Sequence, residues 1–419
     1  MANLLTCPQL IRLAGLMWPK VIGNSCQTVT NWVPVCQRQP TPIFGYQGPV
    51  ITLDLGTDYQ PDYPNPFAPR ARVENLKLMG VFPPFFGDFR RIGILDRVPL
   101  PEKNLIASIR RQARPRRSLI AGIGDDCAVQ RVAHGFDLLI TTDFTLEGIH
   151  FRREWHPPEV VGRRCLVRGL SDIAAMGGEP VTVFLSLALP RKLPQRWVDA
   201  FMKGVLQTAE QFKAVLAGGD TAESPAGVCA DIVVTGYVPR GRAMLRSGAR
   251  PGDEVFVTGS LGGSAAALHE FLAGRRPKPQ DFLRHFAPVP RVAIGRFLRE
   301  KRLASAMIDL SDGLSTDLAH ICEESGVGAE ITAGAIPRAQ VGRKKWPVDM
   351  ELALDGGEDY ELLFTARPAS GRAGGQVPAR IAGVRVTRIG RITREKKLIS
   401  INESGSSHRL QPKGWEHFR

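Results

Sequence analysis

The chain has only eight histidines in 419 residues, and its seven cysteines form no CxxC pair. No HExxH string and no Cys/His set with ligand spacing occurs, which argues against a zinc site. An odd cysteine count in so long a chain reads as small buried residues in a reducing compartment, not a disulfide framework. No run approaches the roughly 18 apolar residues that a membrane helix needs. The mildly apolar start "MANLLTCPQLIRLAGLMWPK" is interrupted by Arg12 and is followed by no clear small-residue cleavage site, so a cytoplasmic protein is expected. Aromatics make up 7% of the chain, and its basic residues form no aromatic-interleaved stripe, so no nucleic-acid partner is expected. GxxxxGK[ST] is missing, as are a GxGxxG between strand and helix and an HRD…DFG set. These absences exclude a P-loop, a standard dinucleotide fold and a protein kinase.

What remains is a globular chain, 43% hydrophobic and 23% charged, with a net charge of +14 that suits polyanionic small molecules. Residues 1–95 are proline-rich and carry no sustained period, so they read as a disordered extension or as the product of a start upstream of Met79. Beyond them, strands and helices alternate. "PPEVVGRRCLVRGLSDIAAMGG" opens with proline and closes with glycine, as a helix does. Trp197, Phe201, Val205, Ala209 and Phe212 line one face of another helix. The turn-rich "PRGRAMLRSGARPGD" marks a junction. The expected class is α/β (α+β) with two domains, 96–246 and 247–419, after the extension.

The acids are not scattered. Asp125 and Asp126 in "GIGDDCAV", Asp143 in "ITTDFTLEGIHF", Asp172 in "LSDIAAMGG", Asp220 in "LAGGDTAESP", Asp309 and Asp312 in "IDLSDGLSTD", and Glu358 and Asp359 in "DGGEDYELLF" sit in short loops at the ends of apolar segments. Adjacent carboxylates such as Asp125 and Asp126 repel by about 4 kcal/mol at 4 Å and an effective dielectric of 20. A hard divalent cation answers such a set, since Mg²⁺ takes carboxylates together with substrate phosphates. Thr141, Thr142 and Ser311 stand beside the acids and can complete such a shell or bond a phosphate. Each acid alone would read as a turn or helix cap. Cys127 lies beside two carboxylates, which raise its pKa and leave it a small packed residue.

In order along residues 100–419, "GIGDDCAV", "TTDFTLEGIHF", "LSDIAAMGG", "GGDT", "RSGARPGD", "IDLSDGLSTDL", "GGEDYELLF" and "GWEHF" together resemble the thiamine-monophosphate kinase family, within the aminoimidazole-ribotide and selenophosphate synthetase superfamily. The resemblance implies an N-terminal domain that dimerises and a C-terminal domain, with ATP in the cleft between them. It implies Mg²⁺ ligands at Asp126, Thr141, Thr142, Asp143, Asp172, Asp220, Asp309 and Asp312. ATP contacts would come from Gly219, Arg246 and Ser311, and thiamine monophosphate contacts from His150, Glu358 and Trp415. One departure is Gly169, where the family usually carries Asn.

The implied reaction passes the γ-phosphoryl of ATP to thiamine monophosphate. The acceptor is a phosphate monoester with a second pKa near 6, already anionic at pH 7, so no catalytic base is required. Trp415 could stack on the thiazolium cation or simply anchor the tail. "GSLGGSAAAL" looks like a phosphate-cradling helix start, with close helix packing as the plainer reading. Two other functions stay open: a different enzyme of the superfamily, and a non-catalytic nucleotide-holding scaffold.

Overall fold

The computed structural model describes residues 119–121, 124–131, 135–369, 376–402 and 404–418. The expected extension over 1–95, with its alternative start at Met79, lies outside the described residues.

The first half builds a six-stranded sheet. β1 (Leu119–Ala121), β2 (Ala128–Arg131), β3 (Phe136–Leu146), β4 (Glu179–Pro190), β5 (Val215–Ser224) and β6 (Cys229–Pro239) lie in the order β1-β2-β3-β6-β4-β5. Only β4 and β5 run parallel, joined through helix α2 (Gln195–Gln211). Helix α1 (Pro158–Ala175) packs against β3 and β6 on one side and α2 on the other. The proline-to-glycine signature holds: Pro158 sits in the first turn, and Gly177 turns the chain at φ 66° just past the end. Phe201, Val205 and Ala209 of α2 are buried, with Trp197 and Phe212 partly so, which is the face the periodicity marks. The two helices meet through glycines. A Cβ on Gly162 would lie 2.0 Å from the carbonyl oxygen of Phe201, and one on Gly204 would lie 2.1 Å from that of Glu159.

The second half carries the larger sheet. β7 (Glu254–Thr258), β8 (Ala304–Asp309), β9 (Gly328–Thr332), β12 (Leu362–Ala366), β14 (Val384–Thr393), β15 (Leu398–Ile401) and β16 (Ser407–Arg409) run in the order β16-β15-β9-β14-β7-β12-β8. The short β13 (Arg380–Ile381) pairs with β14, and β10 (Gln340–Val341) with β11 (Trp346–Pro347). Helices α3 (Gly263–Leu272), α4 (Leu283–Phe286), α5 (Val292–Glu300), α6 (Leu314–Ser325) and α7 (Met350–Asp355) complete it.

The C-terminal end of α1 joins the two halves. Ala174 and Ala175 share a core with Phe256, Ile294, Leu298, Met307 and Phe364 of the second half. Gly295 of α5 permits this approach, because a Cβ there would lie 2.0 Å from the Ala174 carbonyl oxygen. The four described cysteines, Cys127, Cys165, Cys229 and Cys322, are free thiols. Burial, then Asp172 and Asp126, push the Cys127 thiol well above its usual range, in line with a packed and unreactive residue.

Candidate active site

Helix α1 is the spine of the site. Arg164, Arg168, Ser171 and Asp172 stand at i, i+4, i+7 and i+8, hence on one helical face. Each meets a carboxylate or hydroxyl from another element. Arg164 Nη2 donates to Glu358 Oε2 at 2.5 Å, and Arg168 Nη1 to Glu358 Oε1 at 3.1 Å. Arg168 Nε also reaches Asp143 Oδ1 on β3, at 3.4 Å. Ser171 Oγ donates to Asp309 Oδ2 at the end of β8, at 2.6 Å. The Thr141 hydroxyl of β3 donates to Asp172. Next to this stripe, a Cβ on Gly169 would lie 2.6 Å from Val234 Cγ2, so the helix rests on the sheet where any side chain would collide.

Three of the expected acids converge. Carboxylate oxygens of Asp126, Asp172 and Asp309 all lie within 4.8 Å of one another. Burial is the largest reason that Asp172 and Asp309 are held well above the usual carboxylate range, and neighbouring acids add to it. Arg246 balances one corner of the cluster, its Nη2 and Nε donating to Asp126 at 2.8 and 3.2 Å. The Arg246 backbone N–H bonds Asp125 Oδ1 at 2.7 Å. The adjacent carboxylates of "GIGDD" are thus divided between the two ends of one arginine. The donor set is all oxygen, buried and rich in negative charge, which fits a hard divalent cation.

A second group, Asp312, Asp317 and His320, also brings one ligand atom from each residue within 4.8 Å. Asp317 accepts the backbone N–H groups of Asp312 and Gly313, at 3.3 and 3.1 Å, and so closes the turn that opens α6. The sequence reading did not single out Asp317 or His320.

The remaining expected residues divide by position. Thr142 points away from α1, and its hydroxyl donates to Asp231 of β6 at 2.7 Å. Asp220 stands exposed on the edge strand β5 and accepts the Thr221 N–H at 2.8 Å. Its neighbour Gly219 sits against β4, where a Cβ would lie 1.8 Å from the Leu185 carbonyl oxygen. Ser311 contributes its carbonyl, which accepts the Glu358 N–H at 2.7 Å.

The three expected substrate contacts are grouped. His150 meets His417 edge-on with ring centroids 5.7 Å apart, and His417 meets Trp415 at 5.6 Å. The Trp415 N–H bonds the Asp312 carbonyl at 3.1 Å, which docks the tail beside the "LSDG" loop. The indole is half-exposed. Burial and Arg168 hold His150 down at about 3 while Glu358 opposes them, so this imidazole shares the field of the arginine–glutamate cluster. Burial pushes the Glu358 carboxyl up, but Arg164 and Arg168 outweigh it and hold it at about 2. Asp359, by contrast, accepts the N–H groups of Gly262, Gly263 and Ser264 at 2.6, 3.1 and 3.4 Å. It therefore fills the start of α3, the stretch that looked like a phosphate cradle.

The AIR synthase related protein N-terminal domain matches residues 124–238, and the corresponding C-terminal domain matches 250–401. The chain is 37% identical over 326 residues to the thiamine-monophosphate kinase of Salmonella typhimurium, covering 76% of this chain and 98% of that protein. It is 35% identical over 327 residues to the thiamine-monophosphate kinase of Bacillus subtilis, covering 76% of this chain and all of the other. Among solved structures, AaThiL complexed with AMPPCP and TMP superposes with a TM-score of 0.65 at 32% identity, covering 76% of this chain and 97% of that one.

Proposed function

We propose a function from one premise: the chain belongs to the thiamine-monophosphate kinase family. It transfers the γ-phosphoryl group of ATP to thiamine monophosphate, giving thiamine diphosphate and ADP. The observation that carries this reading is one helical face of α1, which faces a buried carboxylate triad at one end and Glu358 at the other.

Asp126, Asp172 and Asp309 would hold Mg²⁺, with Thr141 and Asp143 beside them. Thr142, Asp220 and Asp312, which the resemblance also implies as ligands, stand apart from this cluster and would serve further ions. Bound there, the metal supplies charge neutralisation between two polyanions and aligns their oxygens. Gly219, Arg246 and Ser311 are assigned to ATP. Arg246 already carries a guanidinium fork beside the triad and is suited to a phosphate as well as to Asp126. His150, Glu358 and Trp415 are assigned to thiamine monophosphate. Arg164 and Arg168 hold the Glu358 carboxyl low, which favours its ionised form, and it can face the cationic ring system. His150 Nδ1 accepts the Leu146 N–H at 2.9 Å, so the proton of the neutral ring sits on Nε2. His150 therefore offers the substrate a donor and is not a base. That agrees with chemistry in which the attacking phosphate oxygen is already anionic.

The active species is assigned as a cytoplasmic homodimer. On the face of the six-stranded sheet turned away from α1, Phe136, Phe144, Phe184 and Tyr237 are all exposed, a surface that a second copy can cover. No described helix is long and apolar enough to cross a membrane.

Purified protein incubated with ATP, thiamine monophosphate and Mg²⁺ is expected to form thiamine diphosphate and ADP in equal amounts. ATP consumption without thiamine diphosphate would sink the reading and favour another enzyme of the superfamily.

A further inference from the structure

Arg168 on α1 touches two carboxylates from different elements. Its Nε reaches Asp143 on β3 and its Nη1 reaches Glu358, in the loop before β12. Glu358 is held in a backbone conformation that side-chain-bearing residues rarely adopt, with φ at 63°, and Tyr360 two residues on has φ 51°. Such backbone persists only where its surroundings over-determine it. Here the loop is pinned on every side. The Glu358 N–H bonds the Ser311 carbonyl at 2.7 Å, and the Tyr360 N–H bonds the Leu310 carbonyl at 3.0 Å. Asp359 is locked onto the start of α3. Arg164 takes the other Glu358 oxygen and is itself buried, its Nη1 donating to the His285 carbonyl at 2.7 Å.

We propose that Arg168, braced by Arg164, is a positioning residue for the acceptor substrate: its guanidinium sets Glu358 in place and ties it to Asp143, so that the substrate-side loop and the metal-side strand keep one spacing. The proposal rests on the reading of Glu358 as a thiamine monophosphate contact. The planar fork of arginine is what permits the bridge, because its nitrogens diverge at fixed angles, whereas a lysine presents a single point charge. The bridge spans the two halves of the molecule, since β3 belongs to the first sheet and the Glu358 loop to the second.

The test separates positioning from simple structural support. In Arg168→Met, the KM for thiamine monophosphate should rise roughly 10- to 50-fold, and the KM for ATP several-fold less, since Arg168 meets the metal side only through Asp143. Arg168→Lys keeps the charge and folds more safely, and should recover only part of that loss. Calorimetric titration of thiamine monophosphate into protein saturated with AMPPCP should weaken in the same order. Because Arg168 acts through Glu358, adding Arg168→Met to Glu358→Gln should cost little beyond Glu358→Gln alone. An unchanged KM and dissociation constant in Arg168→Met, an equal rise in both KM values, or fully additive losses would each overturn the assignment. Should the wild type turn over while Arg168→Met matches it, only the positioning role falls. A wild type that neither turns over nor binds thiamine monophosphate overturns both readings.

Discussion

Asp126 illustrates how a residue's chemistry depends on company that local sequence does not display. Its neighbour Asp125 is adjacent in the chain, yet the groups that define its role, Asp172 and Asp309, come from a helix and a strand 46 and 183 residues further on. On the proposed reading, Asp126→Asn should lower kcat by about 10²- to 10³-fold, the scale on which charged transition states lose a preorganised partner. The far-ultraviolet circular dichroism should be unchanged. Near-normal turnover would remove Asp126 from the ligand set. The same reasoning gives a stability prediction for Asp172, whose carboxyl is raised by burial first and by Asp143, Asp309 and Asp126 after it. A carboxyl raised on folding adds stability below its unfolded pKa and loses it as pH rises through the folded value. At pH 8, without divalent cations, Asp172→Asn should therefore melt higher than wild type, and added Mg²⁺ should stabilise the wild type more than the variant. A lower melting point for the variant under those conditions would contradict the account.

At the scale of elements, α1 does most of the organising. Its C-terminal end lies close to α5 because Gly295 carries no side chain. Gly295→Ala would place a Cβ 2.0 Å from the Ala174 carbonyl oxygen, and should cost about 1–3 kcal/mol, the usual range for overpacking. Urea denaturation would measure this as a lower midpoint, and an unchanged midpoint would mean that the helices can part there freely. A second device ties the front of α1 to α4. His285 Nδ1 lies 3.2 Å from Arg164 Nη1, and His285 Nε2 lies 2.8 Å from His156 Nε2. With Arg164 donating to His285 Nδ1, the His285 proton sits on Nε2 and bonds His156 Nε2. The other His156 nitrogen, Nδ1, faces Arg152, 3.1 Å from its carbonyl oxygen and 3.3 Å from its backbone nitrogen. Both rings are neutral in this arrangement. Burial first, then Arg164, holds His156 down at about 4 and His285 well below its usual value. A histidine lowered on folding gives its full stability above about 6.5 and loses it as pH falls towards the folded value. Asp359, raised by burial to about 7, works in the opposite sense over the same window. The informative quantity is therefore the difference between wild type and His156→Gln. Between pH 6.5 and 4.5, wild-type stability should fall relative to the variant by up to about 1.4 kcal/mol per pH unit. Parallel pH profiles would show that His156 takes up its proton alike in both states.

On the scale of the whole molecule, the exposed aromatic face of the first sheet carries the prediction. Phe144 is 56% and Phe184 39% exposed, and neighbouring side chains on the same face are likewise open. On the proposed assembly, Phe144→Glu should shift the protein from dimer to monomer in light scattering at micromolar concentration. It should leave the fold intact, since the side chain contributes little to the buried core. A wild type that runs as a monomer would refute the assembly.

Local patterning was enough to mark α1, α2 and the central strands, because helix punctuation and apolar periodicity depend only on neighbours along the chain. It also singled out the acids, but it put them in loops at the ends of apolar segments, whereas Asp143 lies inside β3, Asp172 inside α1 and Asp220 inside β5. The motif set placed the chain in its family. Arg164 and Arg168 were not legible: at i and i+4 on a helix they look like a solvated charged stripe, and only packing against Asp143 and Glu358 makes them interior. Asp359 and Glu358 are adjacent and chemically alike, yet one is spent on backbone N–H groups of α3 and the other faces two arginines. Thr141 and Thr142 look equivalent in sequence and point to opposite faces of β3. The sequence by itself determined which residue types were available and which elements would carry them, since those follow from local chemistry. Only the tertiary structure decided which carboxylates share a cavity and which are already partnered, since electrostatic role is set by neighbours in space.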